Sequence, residues 1–292
     1  MKHVAIAGDE PDWHARRLGA ALEAAGAKPI AIRLAECRFD TGVPHGLDLP
    51  GWHAALPDAV LVRAIAAGSF EEVTRRLGLL HALRECGVPV WNDARAIERC
   101  VDKSMSSFLL AAAGLPTPAS WAIEGLDAAR ALASRETEAG PLVLKPLFGA
   151  EGRGLRLITR ADDLPERAEV GGVYYLQRFV PTRDGVFRDY RVFICAGAVL
   201  GAMVRASRHW ITNVRRGGIP EPLRPDAELC DLALRSAAVM GADYAGVDLL
   251  RDRDGRSFVL EVNSMPAWRG LQRVTERPIA PAIATALLAR LP

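Results

Sequence analysis

Apolar and polar positions over the first ninety residues follow two rhythms. Val4-Ala5-Ile6-Ala7, Pro29-Ile30-Ala31-Ile32, Ala59-Val60-Leu61-Val62 and Val88-Pro89-Val90-Trp91 are short apolar runs that predict strands. Residues 12–25, closed by Gly26, and residues 70–86 carry the spacing of amphipathic helices. Strands alternating with helices predict a small parallel α/β layer over residues 1–93. Gly8 follows the first strand, but no G-x-G-x-x-G accompanies it, so it reads as a turn.

A second segment, 94–178, opens with Asn92-Asp93 capping one expected helix over residues 94–113, which Gly114, Pro116 and Pro118 stop. A strand near 119–123, a helix near 126–138 and the apolar strand Pro141-Leu142-Val143-Leu144-Lys145 follow. Next come the glycine-rich loop from Gly149 to Gly154, strand Leu155-Arg156-Leu157-Ile158, and Tyr174-Tyr175-Leu176-Gln177. In the third segment, 179–292, strands around 190–205 and 244–263 hold most of the polar residues with chemical potential. The pattern as a whole is α/β with an α+β core, and it contains no internal repeat or long linker.

Composition narrows the class. The chain has 292 residues, enough for two or three packed units. Half are hydrophobic and a quarter charged, and 37 basic against 35 acidic residues leave a net charge of +2. Near-neutrality gives no reason to expect nucleic-acid or membrane partners. The N-terminus becomes charged at Asp9-Glu10 before a signal-peptide core could form, and no window reaches the roughly 20 apolar residues that span a bilayer. Cys37, Cys86, Cys100, Cys195 and Cys230 are scattered and odd in number, as reduced thiols of a cytoplasmic protein would be.

The chemistry concentrates in a few places. Residues 246–250 and 257–263 flank Arg251-Asp252-Arg253-Asp254-Gly255 and predict a β-hairpin. Period-two alternation puts Asp248 on one face of the first strand, and Glu261 with Asn263 on one face of the second. A four-residue closure would pair Asp248 with Val259 and make Glu261 its diagonal neighbour, with Val247, Leu249, Leu260 and Val262 in the core. Two carboxylates and an amide oxygen, without sulfur or imidazole, suit Mg²⁺. Taken alone, the hairpin reads first as a half-exposed one with its polar residues turned to water.

Lys145 ends a strand just before Gly149, Gly152 and Gly154, where backbone amides can approach phosphate oxygens. No Walker A sequence exists, and Lys103 or Lys145 taken singly is an ordinary snorkelling or solvated lysine. Arg191 and Arg205 interrupt apolar strands and therefore need anionic partners, either a ligand or structural salt bridges to Asp189 or Glu261.

The order of these elements is more specific than any one of them. Asp102-Lys103, Gly114-Leu115-Pro116-Thr117-Pro118, Lys145 with its glycine loop, Gln177-Arg178-Phe179-Val180, Asp189-Tyr190-Arg191, Gly246-Val247-Asp248 and Glu261-Val262-Asn263 together resemble the ATP-grasp superfamily over about residues 92–275. The stretch Met203-Val204-Arg205, Thr212-Asn213, Gly217-Gly218 and Ala245-Gly246-Val247-Asp248 is similar to the RimK-type α-L-glutamate ligases.

That resemblance implies an ATP-grasp fold behind a Rossmann-like N-terminal layer, and an ATP-dependent carboxylate–amine ligase working through an acyl phosphate. It implies ATP and Mg²⁺, with Mn²⁺ as a substitute and two metal ions. Lys103 and Lys145 would meet the ATP phosphates under a flap made by Gly149, Gly152 and Gly154. Gln177, Arg178, Phe179 and Val180 match the adenine segment and Asp189 the ribose contact. Asp248, Glu261 and Asn263 match the metal ligands. Arg191, Arg205 and Asn213 would hold the transferred phosphoryl group, the acyl phosphate and the substrate carboxylate.

The tail Ser264-Met265-Pro266-Ala267-Trp268-Arg269-Gly270-Leu271-Gln272 departs from the Pro-Gly common in the family. It looks closer to members that add glutamate to tetrahydromethanopterin or furan-type C1 carriers than to lysine-biosynthesis ligases. Trp268 and Arg269 would there offer a ring to stack on and a cation to pair with, unless Trp268 packs in the core, a reading the sequence supports equally. The implied partners are L-glutamate or a similar amino acid and a small anionic acceptor, for which Arg205, Arg208, His209, Arg215 and Arg216 form a basic segment. A RimK-like ligase acting on a protein C-terminus and a lysine-biosynthesis-type ligase are the alternative activities, a catalytically silent ATP-binding protein is the alternative class, and a homo-oligomer is left open.

Overall fold

The computed structural model describes residues 1–52, 55–149, 152–182, 185–213 and 217–292. Its first layer is a parallel sheet of β1 (His3–Ala7), β2 (Lys28–Ile32), β5 (Ala59–Val62) and β6 (Val90–Trp91), in the order β2-β1-β5-β6. The short antiparallel pair β3 (Arg38–Phe39) and β4 (Leu47–Asp48) lies between β2 and β5 in the chain. Two helices cross over: α1 (Trp13–Ala24), capped by the Asp12 side chain on the Ala15 amide, and α2 (Phe70–Glu85), opened by a Ser69–Glu72 capping box. Parallel strands need cover on both faces, which is why Val4 to Ala7 and Ala59 to Val62 read as unbroken apolar runs. Ala5, Ala7, Val60 and Val62 pack with Leu79, Leu80 and Leu83 of α2. Val4, Ile6, Ala59 and Leu61 belong to a second cluster that reaches into the C-terminal part of the chain.

The single helix expected over 94–113 is two, α3 (Ala94–Val101) and α4 (Lys103–Ala112). Asp102 breaks it. Its backbone is extended (φ −82°, ψ 103°), and its carboxylate accepts from the Ser104 and Met105 amides, capping a new helix. An aspartate that can bond the backbone locally competes with the helix interior in this way.

The second sheet is antiparallel, β7-β10-β8-β9, from β7 (Ser120–Glu124), β8 (Leu142–Lys145), β9 (Arg156–Ile158) and β10 (Val173–Arg178). Helix α5 (Leu126–Glu136) covers Leu142, Leu144, Tyr174 and Leu176 on one face. Alternation leaves Val143, Lys145, Tyr175 and Gln177 on the other.

The third sheet, β13-β12-β11-β14-β15, is also antiparallel: β11 (Phe187–Cys195), β12 (Ala198–Ser207), β13 (Ile219–Pro222), β14 (Tyr244–Arg251) and β15 (Ser257–Asn263). Helix α6 (Ala227–Met240) packs beneath Val192, Ile194, Val247, Leu249, Val259 and Val262. The opposite face carries Asp189, Arg191, Arg205, Asp248, Glu261 and Asn263. A short turn of helix, α7 (Arg269–Gln272), and the apolar α8 (Ile279–Leu288) close the chain. Helix α8 lies against α1 and joins this sheet to the first layer.

The hairpin register differs from the expectation in one respect. Leu249 pairs with Val259, but Asp248 pairs with Glu261, so Leu260 is the extra residue of a β-bulge. The two carboxylate-bearing residues are thus directly opposed rather than diagonal. Leu260, expected in the core, is only partly buried and lines the cleft.

Candidate active site

The face of the second sheet turned away from α5 and the polar face of the third enclose one cleft, and nearly every predicted residue lies on it. Its inner part is lined by Lys103, Lys145, Gly149, Gly152, Arg191, Asn213, Asp248, Glu261 and Asn263. Its outer part shares Lys145, Asn213, Asp248 and Glu261 and continues past Leu155, Arg178, Phe179, Val180, Asp189, Trp210 and Leu260. The residues predicted from scattered motifs converge because β8, β11, β14 and β15 present alternate side chains to the same space.

Lys145 extends from the end of β8, its ammonium 2.6 Å from Gln177 Oε1. Gln177 is itself buried and donates to Ser120 Oγ at 3.1 Å and to the Tyr175 hydroxyl at 3.3 Å. Burial brings the Lys145 ammonium down to about 8, with Glu261 and Asp248 resisting and Lys103 adding to the fall. Lys103, placed by the Asp102 cap at the first turn of α4, donates to the carbonyls of Leu147 (3.4 Å) and Gly149 (2.8 Å). Both lysines therefore border the glycine loop.

The arginines have anionic partners inside the protein. Arg191 grips Asp248 with two bonds, Nε to Oδ1 at 2.7 Å and Nη2 to Oδ2 at 2.6 Å. Arg205, almost fully buried, joins Asp189 at 2.5 Å and Asp248 at 3.1 Å. Burial opposes ionisation of Asp248, but the two guanidinium groups outweigh it and hold its carboxyl down at about 2. Asp189 accepts from Arg205 on one oxygen and from the Thr212 hydroxyl on the other.

Residues that could hold a divalent cation form a short row. Glu261 has no hydrogen-bonded or ion-paired partner among the described residues, and it faces Lys145 across the cleft. Among the described residues Asn263 makes only long contacts through Nδ2, to Gly246 O at 3.3 Å and Asp248 Oδ2 at 3.5 Å, and its amide oxygen has no partner there that would keep it from a cation. Asp248 would have to share arginine-bound oxygens. Among the described residues no cluster of three or more His, Cys, Asp or Glu forms a cage. This donor set fits Mg²⁺, which binds through one or two carboxylates and completes its shell with water and phosphate.

At the outer end the side chain of Arg178 turns away to Glu136 and Gly140. The amides of Arg178 and Phe179 bond Ala119 O and Pro141 O, so the segment offers a ligand its carbonyl edge and Val180. Phe179, Phe187 and Trp210 form an aromatic wall with ring centroids 6.2 and 6.3 Å apart. Leu260 and Trp210 escaped the sequence reading as wall residues; the bulge and the loop that place them leave no periodic signal.

Of the two readings open for Trp268, the structure takes the core. It is fully buried, edge-on to His14 at 4.5 Å and Phe193 at 5.9 Å, and so belongs to the core rather than to a surface on which a substrate ring could stack. Arg269 is exposed beside Trp13. Arg215 and Arg216 lie outside the described residues.

A lysine-bordered glycine loop and a polar hairpin between two antiparallel sheets define an ATP-dependent carboxylate–amine ligase of the ATP-grasp type. The RimK-like ATP-grasp domain model matches residues 100–287, and the chain belongs to that family, whose members use ATP and Mg²⁺. It is 32% identical over 291 residues to the tetrahydromethanopterin:alpha-L-glutamate ligase of Methanococcus maripaludis, covering 95% of this chain and 94% of that protein. The protein of the same name from Methanosarcina acetivorans is 31% identical, with 93% and 94% covered. Among solved structures, the ATP-grasp ligase PsnB, crystallised with a phosphomimetic variant of a minimal precursor, Mg and ADP, shares the fold with a TM-score of 0.77 at 22% identity, covering 99% of this chain and 98% of that one. No helix of the described residues is long and apolar enough to cross a membrane.

Proposed function

We propose that this chain joins L-glutamate to a tetrahydromethanopterin-type C1 carrier through an acyl phosphate. The observation that carries the reading is the pair of relatives bearing that activity, matched over more than nine-tenths of both chains.

The cleft suggests how its residues would act. The adenine lies against Phe179, Val180 and Trp210, and Lys103 and Lys145 reach the phosphate chain beneath the loop of Gly149, Gly152 and Gly154. Glu261 and Asn263, with Asp248, hold Mg²⁺, singly or as a pair of ions; when bound, it neutralises charge on the phosphate oxygens. The acceptor carboxylate attacks the γ-phosphorus and ADP leaves. The amine of glutamate then attacks the acyl carbon, expels phosphate and loses a proton. Arg191, Arg205 and Asn213 face the charge that develops in both steps. Such transfers depend on positioning and electrostatics, so no nucleophilic side chain is needed.

The test is ADP release with L-glutamate and purified tetrahydromethanopterin, with products read by mass spectrometry. A product heavier by glutamyl residues is expected. Turnover only with a peptide ending in glutamate would replace the acceptor, and no turnover with either would reject the reading.

A further inference from the structure

Register places Asp189 directly across from Arg205 on the polar face of the third sheet, and both are buried. The two oxygens of Asp189 have different partners. One accepts from Arg205 Nε at 2.5 Å, while the other takes the hydroxyl of Thr212, also buried. Thr212 sits in the loop after β12, between Trp210 of the aromatic wall and Asn213 of the inner cleft.

The loop is held from other sides as well. A Cβ on Gly218 would lie 1.8 Å from the Thr212 carbonyl oxygen, so only glycine allows the backbone to come this close. A Cβ on Gly152 of the phosphate loop would lie 2.6 Å from Asn213 Oδ1 and 2.9 Å from Ile211 Cγ2, so the two loops touch. Arg205 passes the connection on, its Nη2 standing 3.1 Å from Asp248 Oδ1, opposite Glu261.

We propose that Asp189 is a positioning residue rather than a ribose contact. By holding Thr212 with one oxygen and Arg205 with the other, it fixes the aromatic wall of the nucleotide end and the arginine facing the transferred phosphoryl group in one geometry. The inference rests on the nucleotide end of the cleft as read above and is independent of the acceptor. A buried carboxylate with both oxygens engaged holds its donors rigidly, because releasing either would leave it under-satisfied.

The test compares Thr212→Val, Thr212→Ser and Asp189→Asn by calorimetric binding of ATP, 2′-deoxy-ATP and 3′-deoxy-ATP, which needs no acceptor, and by steady-state kinetics. Thr212→Val keeps the shape and loses the donor. It should weaken all three nucleotides by the same factor, roughly tenfold, the size expected for a lost bond to a charged group, and lower kcat as well. Thr212→Ser should restore both. Asp189→Asn should behave like Thr212→Val with a larger fall in kcat. The proposal is overturned if Asp189→Asn weakens ATP but spares one deoxy analogue, since that is the mark of a ribose contact. It is equally overturned if folded Thr212→Val binds ATP and turns over like wild type, or if the serine and valine variants fail alike. Should Asp189→Asn not fold, the threonine pair decides. Absent turnover with tetrahydromethanopterin would leave the binding arm intact and count only against the acceptor.

Discussion

Lys145 is held close to its own titration point. Burial favours its neutral form, so the ammonium proposed to meet phosphate is present well below about pH 8, is half lost at that value and falls further as pH rises. ATP affinity of the free protein is therefore expected to fall between pH 7 and 9, measured by calorimetry. Lys145→Met should bind more weakly at every pH and lose this dependence; a wild-type affinity flat across the range would count against the assignment. Glu261 is the opposite case, since among the described residues no hydrogen bond or salt bridge engages it. Glu261→Gln should change stability by no more than about 0.5 kcal/mol. Its kcat with Mg²⁺ should fall by at least about a hundredfold, the consequence of removing a ligand worth several kcal/mol in the transition state. Turnover like wild type would remove Glu261 from the metal set.

Among the elements, the β14–β15 hairpin shows what could be read from the chain and what could not. Alternation of Val247, Asp248 and Leu249 identified the polar face, and this depends only on the period of a strand. The bulge depends on how two strands accommodate each other, and Leu260 looks in sequence like any other core leucine. For the same reason Asp102-Lys103 looked like the middle of one helix: the cap forms only once the Asp102 carboxylate finds the Ser104 and Met105 amides. Partner choice was only half legible: of the two carboxylates expected, Asp189 pairs with Arg205, but in place of Glu261 register supplied Asp248 to both arginines. The bulge leads to a paired prediction. Leu249→Ala, in the core beneath the sheet, should cost about 2–5 kcal/mol in urea unfolding and leave the ATP KM unchanged. Leu260→Ala should cost under about 1 kcal/mol yet raise the ATP KM several-fold. The reverse pattern would return Leu260 to the core.

Across the whole molecule, the first layer and the third sheet share one core. Phe193, Tyr244, Trp268 and α8 pack into the same cluster as Val4, Leu18 and Leu61. Polar contacts reinforce it. Asn92 donates to the carbonyls of Tyr244 and Ser264 and accepts from the amides of Asp243 and Tyr244, and His14 accepts from the Trp268 amide at 3.1 Å. The first layer is thus a buttress for the sheet that carries β14 and β15. Trp268→Ala should cost about 3–5 kcal/mol and lower the unfolding midpoint of both parts together. Two separate transitions, with only one displaced, would show that they fold independently.

The cations of the cleft also have a consequence for how it fills. Lys103 is occupied by loop carbonyls, Lys145 by an amide oxygen, and Arg191 and Arg205 by aspartates. On the proposed reading, a nucleotide entering this space would not meet bare charge at Lys103 and Lys145; it would displace the oxygens that now hold them, while Arg191 and Arg205 keep their aspartates. Affinity is then the difference between two sets of contacts rather than the sum of one. A phosphate that took Lys103 would also free the Gly149 carbonyl, so filling the cleft and rearranging the loop above it would be the same exchange reaction.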